Sequence, residues 1–322
     1  MKKKKIALII SLFLIGTLVN AIGHPILLIK EKQHNIKINK DNLLEDVKQL
    51  AATPQARNHE NIASLNQAAQ YIADEFSDMG LAPVEQTYKL NGQEYKNIIA
   101  FYGPEQGKRI VIGAHYDVCG EQQGADDNAS GVAGLLEIAR QFQEHKPDTA
   151  YRFEFVAYTL EEPPYFRTEN MGSHVHAKSL IEDKVEVEAM ISLEMIGYFS
   201  EEKNSQDYPI GILKWFYPTK ANYIAVVGKL GKGKLTRKIK KGIKKGSPIE
   251  VRSINAPASV VGIDFSDHLN YWKYDFNAIM VTDTSFFRNA NYHQKTDTPE
   301  TLDYDKMTEV VQGVTYALFN YE

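Results

Sequence analysis

Residues Tyr151 to Glu162 read YRFEFVAYTLEE. Aromatic and β-branched residues dominate the first ten positions, the composition of a buried strand. Two adjacent acids, Glu161 and Glu162, then close it. Carboxylates at the end of a buried strand are costly to desolvate unless something neutralises them. A similar apolar run, IVIGAHYD (Ile110 to Asp117), closes on His115 and Asp117, and Gly124-Ala125-Asp126-Asp127-Asn128 follows shortly after. Neighbouring strand ends are where open α/β sheets place their active sites. A histidine and several carboxylates gathered there point to a hydrolytic metal site.

Outward from these runs, strand signals recur over Val84 to Leu90, Asn97 to Tyr102, Arg109 to Tyr116, Arg152 to Leu160, Val187 to Leu193, Tyr223 to Val227 and Asn277 to Thr282, with Pro104 and Gly107 marking a turn. Helical spacing predicts helices over Asn42 to Leu50, Ile62 to Met79 and Ala129 to Phe142. In the second, Ala68, Ile72, Phe76 and Met79 form one stripe that ends at Gly80. The expected fold is α/β: a single three-layer domain with a mixed, mostly parallel sheet, helices on both faces, and the metal site at the C-terminal ends of the strands. Lys229 to Lys245 is dense in lysine, with Leu235, Ile239 and Ile243 every four residues. It reads as an amphipathic helix, either a solvated helix with its seam on the core or a surface for anionic membrane or an acidic partner.

The chain has 322 residues, 43% of them hydrophobic and 24% charged, which supports a sizeable core. A net charge of -4 gives no reason to expect nucleic acid as a partner. Lys2 to Lys5 precede an uncharged apolar run, Ile6 to Val19, and Val19-Asn20-Ala21 offers a cleavage site. Residues 1–29 therefore read as an export signal, cleaved or retained as a membrane anchor, residues 30–41 as a linker, and residues 42–322 as the catalytic domain. The expected location is outside the cytoplasm, periplasmic or extracellular, with membrane association only through that N-terminal segment. Cys119 is the sole cysteine, so no intramolecular disulfide forms. It reads as a small residue in a loop near the site, with a nucleophile as the sharper alternative.

Residue by residue, His115 offers a neutral imidazole nitrogen to a metal. Asp117, two residues on in an extended chain, leaves the same face and is placed to orient His115. Asp127 precedes a helix start, where its two oxygens can bridge two cations. Glu161 and Glu162 reach one site only at a turn, which Pro163-Pro164 enforces. One then binds metal and the other stays free as a base.

These segments resemble the M28 family of zinc metallopeptidases, which includes many di-zinc aminopeptidases. The resemblance rests on GAHYD (Gly113 to Asp117), GADDNASG (Gly124 to Gly131), Glu161-Glu162 followed by Gly172-Ser173, SLEMIGY (Ser192 to Tyr198), SDH (Ser266 to His268) and YHQKTDT (Tyr292 to Thr298), and it runs from about Asn42 to the C-terminus. It implies two zinc ions per chain, one held by His115 and Glu194, the other by Glu162 and His293, with Asp127 bridging. Glu161 would be the general base that takes a proton from the bridging water, and Asp117 would support His115. Glu194 departs from the aspartate usual in the well-known aminopeptidases. Asp264, Asp267 and His268 read as supporting or structural residues. Tyr208, Trp215, Phe216, Tyr217 and Tyr223 are candidates either for a substrate pocket or for ordinary packing, and Glu169 for receiving a substrate α-amine.

The expected function is thus an exported metallo-aminopeptidase that hydrolyses the N-terminal bond of a peptide or small protein. A glutaminyl-peptide cyclase on the same fold with one zinc is the alternative. A non-catalytic binding ectodomain is a third class, against which the complete ligand set stands. Carboxylate-rich sites accept several divalent ions, so cobalt and manganese stay open beside zinc.

Overall fold

Eight strands pair into one sheet in the order β1-β2-β4-β3-β5-β8-β6-β7. They are β1 (Val84–Leu90), β2 (Gln93–Tyr102), β3 (Arg109–His115), β4 (Arg152–Tyr158), β5 (Val187–Glu194), β6 (Tyr223–Lys229), β7 (Glu250–Ala256) and β8 (Ala278–Thr282). The computed structural model describes residues 36–321, so the N-terminal leader and the first half of the segment read as a linker lie outside the described residues. The helices are α1 (Lys40–Ala51), α2 (Ile62–Asp78), α3 (Gly131–His145), α4 (Gly172–Glu182), α5 (Gly233–Gly246), α6 (His268–Lys273) and α7 (Tyr304–Phe319). No helix among the described residues is long and apolar enough to cross a membrane.

The centre of the sheet is parallel: β4, β3, β5 and β8 run side by side in one direction. Antiparallel pairings join β2 to β4 and β1 to β2 at one edge, and β6 to β8 at the other. Strands covered on both faces read as near-continuous apolar runs, which is why RIVIGAH and RFEFVAY are legible as strands. Their alternate residues feed two cores. Ile110, Ile112, Ala114, Phe153, Phe155 and Ala157 face the layer built from α1, α2, α3, α5 and α7. Val111, Val156 and Tyr158 face α4 and α6. The fold is the three-layer α/β arrangement expected.

Helix starts follow local chemistry. Asn39 caps α1 by accepting from the Asp41 N–H, and Asp303 caps α7 by accepting from the Lys306 N–H. Ile36 and Ile38, inside the stretch read as a linker, are buried in the core, and α1 starts at Lys40, so the packed body begins before residue 42. The lysine-rich segment is a solvated helix with its seam on the core. Leu235, Ile239 and Ile243 are buried, and α5 approaches α7 closely where a Cβ on Gly242 would meet Ala317 and one on Gly313 would meet Ile243.

Four elements lie outside those expected. β7 (EVRSINA) is an edge strand of mixed polarity, α4 (GSHVHAKSLIE) has a weak apolar stripe, α6 is only six residues long, and α7 buries Met307, Val310, Val311 and Val314 at helical spacing after a motif-rich loop.

Phe142 on α3 is fully buried and meets the rings of Tyr102, Phe153, Phe155 and Phe319. Phe142→Ala should destabilise the fold by about 3–5 kcal/mol, the usual cost of emptying such a site. Urea unfolding followed by circular dichroism measures this; a loss under about 1 kcal/mol would mean that the aromatic cluster does not anchor this layer.

Candidate metal centre

The parallel strands deliver the site. β3 ends on His115, β4 runs out two residues before Glu161-Glu162, β5 ends on Glu194, and the loop after β8 carries His293. Asp127 lies in a kinked turn, Ala125–Ser130, that leads into α3, and its own backbone is non-helical (φ -106°, ψ 89°). Three of these turns use a non-glycine residue in the left-handed region: Leu160 (φ 56°), Met195 (φ 47°) and His293 itself (φ 56°). Leu160 and Met195 are buried, so packing holds them in conformations that cost about 1–3 kcal/mol each. Their effect is to turn the neighbouring acids toward one point.

At that point two imidazoles face opposite oxygens of one carboxylate. His115 Nε2 lies 3.4 Å from Asp127 Oδ1 and 3.4 Å from Glu194 Oε2. His293 Nε2 lies 3.2 Å from Asp127 Oδ2 and 3.3 Å from Glu162 Oε2. Glu161 Oε2 stands 3.9 Å from His115 Nε2. His115 Nε2, His293 Nε2, Asp127 Oδ2, Glu162 Oε1 and Glu194 Oε2 are all buried with no hydrogen-bond partner. Donor atoms of His115, Asp127 and Glu194 lie within 4.8 Å of one another, as do those of His115, Glu161 and Glu162. Unsatisfied nitrogen and carboxylate donors converging in this way fit a zinc-type cation. Every expected metal donor and Glu161 are brought together, including Glu194, whose longer side chain reaches the cluster.

Without a cation the cluster holds protons. Burial, then the Asp127 charge, pushes Glu162 up to about 8. Burial also raises Glu161 and Glu194, each further raised by neighbouring acids. For His115, burial disfavours the proton, but Glu194 and Glu161 outweigh it and raise the pKa well above the ordinary imidazole value. Asp127 goes the other way: burial works against its charge, yet His115 and His293 hold it low.

A supporting frame fixes the donors. Asp117 Oδ1 is 3.5 Å from His115 Nδ1, while the same carboxylate accepts from the N–H groups of Glu161 (3.0 Å) and Glu162 (3.1 Å). It therefore clamps the acid pair as well as standing beside the histidine. Asp297 accepts from the N–H groups of Asp126 and Asp127 at 2.9 and 3.1 Å. Asn128 ties the same turn to the end of β5, donating to Leu193 O and accepting from Met195 N. Asp126 accepts from Asn289 and Gly197, away from the two histidines. Asp297 and Asn128 sit inside motifs visible in the sequence, yet nothing in the spacing set out these roles.

Beside the donors opens a cavity of about 290 Å³ whose walls include Tyr208, Tyr217, Tyr223, Phe265, Phe286 and Phe287. Trp215 is 82% exposed and, with Phe216, lies outside that lining. Glu169 is exposed and also outside it, so it is not positioned beside the donors to receive a substrate amine. Asp264 pairs with Arg167 at 2.6 Å, His268 Nε2 sits 2.8 Å from Ile263 O, and Asp267 is buried near the site.

The model of Peptidase family M28 matches residues 97–318, a span that contains all of these donors. The chain belongs to this family. A protein of Escherichia coli (strain K12), the uncharacterized protein YfbL, is 45% identical over 288 residues, covering 87% of this chain and 88% of that one. Among solved structures, BSAP, a zinc aminopeptidase from Bacillus subtilis, superposes with a TM-score of 0.70 at 14% identity over 89% of this chain and 96% of its own. A glutaminyl cyclase from Bacteroides thetaiotaomicron superposes with a TM-score of 0.66 at 19% identity, over 89% of this chain and 99% of its own. These two likenesses are of fold. As an M28 peptidase the chain acts on peptides.

Metal ligation needs anionic carboxylates and neutral imidazoles, whereas the metal-free cluster keeps protons near neutrality. Zinc binding to the chelator-stripped protein at pH 7 should therefore release protons. Titration calorimetry in two buffers of different ionisation enthalpy reads this as a buffer-dependent heat, and equal heats in both would contradict the charge state described.

Proposed function

We propose that the chain is a zinc aminopeptidase holding two ions, one between His115 and Glu194 and the other between Glu162 and His293, with Asp127 shared. The observation that carries this reading is the pair of unpartnered imidazole nitrogens facing separate oxygens of Asp127. Bound zinc supplies Lewis acidity, which activates water and polarises the scissile carbonyl.

The chain's own groups supply the rest. Glu161 takes a proton from the attacking water and passes it to the leaving amine. Its buried carboxyl is raised by desolvation and by Glu162 and Glu194, which favours its accepting a proton. Asp117 keeps Glu161 in place through the backbone. The cavity walls exclude water and favour a bulky apolar side chain on the N-terminal residue. The lysine block and apolar run at the N-terminus would carry the enzyme out of the cytoplasm.

Glutaminyl cyclisation is the second reading, favoured by the likeness in fold to the cyclase. It needs one ion and consumes no water. A panel of aminoacyl amides and a glutaminyl peptide, assayed together, separates the two: amide hydrolysis is expected, and pyroglutamate formation without hydrolysis would overturn the aminopeptidase reading.

Glu161→Gln should lower turnover by about 10²–10⁴-fold, the usual worth of a positioned acid–base group. Zinc content should match the wild type. Near-normal turnover in that variant would remove Glu161 from the proton path.

A further inference from the structure

The loop after β3 brings a sulfur to the edge of this cluster. Cys119 Sγ, a carboxylate oxygen of Glu162 and a ring nitrogen of His293 all lie within 4.8 Å of one another. Glu162 is only 4% exposed, and its Oε1 has no hydrogen-bond partner. Its other oxygen faces His293 Nε2, which is likewise unpartnered. Two unsatisfied donors thus face the same space as the thiol.

The loop holds Cys119 there by specific bonds. The buried Arg57 guanidinium donates to the carbonyls of Tyr116, Gln123 and Gly124, and Val118 N returns a bond to Arg57 O. Asn58 Nδ2 donates to Gly120 O at 2.7 Å, and Gly120 adopts φ 57°, a conformation glycine takes without strain. Cys119 is half-buried and, unlike Glu162 and His293, does not line the apolar cavity. A nucleophile would have to face that cavity; a ligand would not.

We propose that Cys119 is a fourth protein donor, beside Glu162, His293 and the shared Asp127, to the cation in that half of the site. Its proton leaves to solvent as the sulfur–metal bond forms. A sulfur donor would bias this half of the site toward thiophilic ions, zinc and cadmium, over manganese and magnesium, while the His115–Glu194 half stays a nitrogen–oxygen site. The proposal rests on the two-ion reading above.

The test uses the full protein, stripped with a chelator and reloaded with cobalt(II). The wild type should show a near-ultraviolet thiolate-to-cobalt charge-transfer band, and Cys119→Ser should lose the band while still binding cobalt. Cadmium affinity in that variant should fall by at least the roughly 10- to 100-fold that loss of an outer partner costs a metal site. Should the variant not fold, alkylation of the wild-type thiol by iodoacetamide gives a second readout, slower with cobalt bound than without. Two bound cobalt ions with no such band and unprotected alkylation would overturn the proposal and leave the two-ion reading standing. A protein that binds no cobalt would overturn both.

Discussion

Four carboxylates, Asp127, Glu161, Glu162 and Glu194, are buried against one another at the ends of two strands and in the turn that leads into α3. Like charges at this range cannot all stay ionised in a desolvated site. Two histidines are too few to balance them, and the raised carboxyl groups record the shortfall. Everything nearby follows from it. A structural protein would exchange such a cluster for apolar packing, because breaking even or gaining stability that way is common for buried charges. Retaining it makes sense where divalent cations complete the charge balance and the chemistry needs the acids.

The frame around the cluster is built so that the donors do not have to find their places when a cation arrives. Asp117 and Asp297 spend their own carboxylates on backbone N–H groups of the acid pair and of the Asp127 turn. Asn128 spans from that turn to the end of β5, and Arg57 secures the loop between β3 and that turn. Preorganisation of this kind puts the cost of ordering into folding rather than binding.

Much of this was legible in the sequence, for physical reasons. Strands buried on both faces must be continuously apolar, so β3, β4, β5 and β8 stood out, and polar residues at their ends stood out against them. The adjacent acids Glu161 and Glu162 could serve one site only at a turn, and they do. What was hidden depends on contacts between distant segments. Nothing around Arg57 reveals that it holds a loop some sixty residues away. Asp117 looked like a partner for its near neighbour His115, beside which it does stand, but its bonds to the backbone of Glu161 and Glu162 after the adjacent strand were not visible. Aromatic residues of one short stretch divided between cavity and solvent, Tyr217 to the first and Trp215 to the second, because burial there is set by the opposing loops rather than by local pattern. Glu169 followed the acid pair closely in sequence but lies out in solvent.

The central claim is that this charge cluster exists to hold two cations. The most direct measurement is anomalous X-ray scattering at the zinc edge, on crystals of protein purified without chelator. Two peaks are predicted, one between His115 and Glu194 and one between His293 and Glu162, with the Asp127 carboxylate between them. A single peak beside His115, with His293 and Glu162 bonded to each other or to water alone, would contradict it.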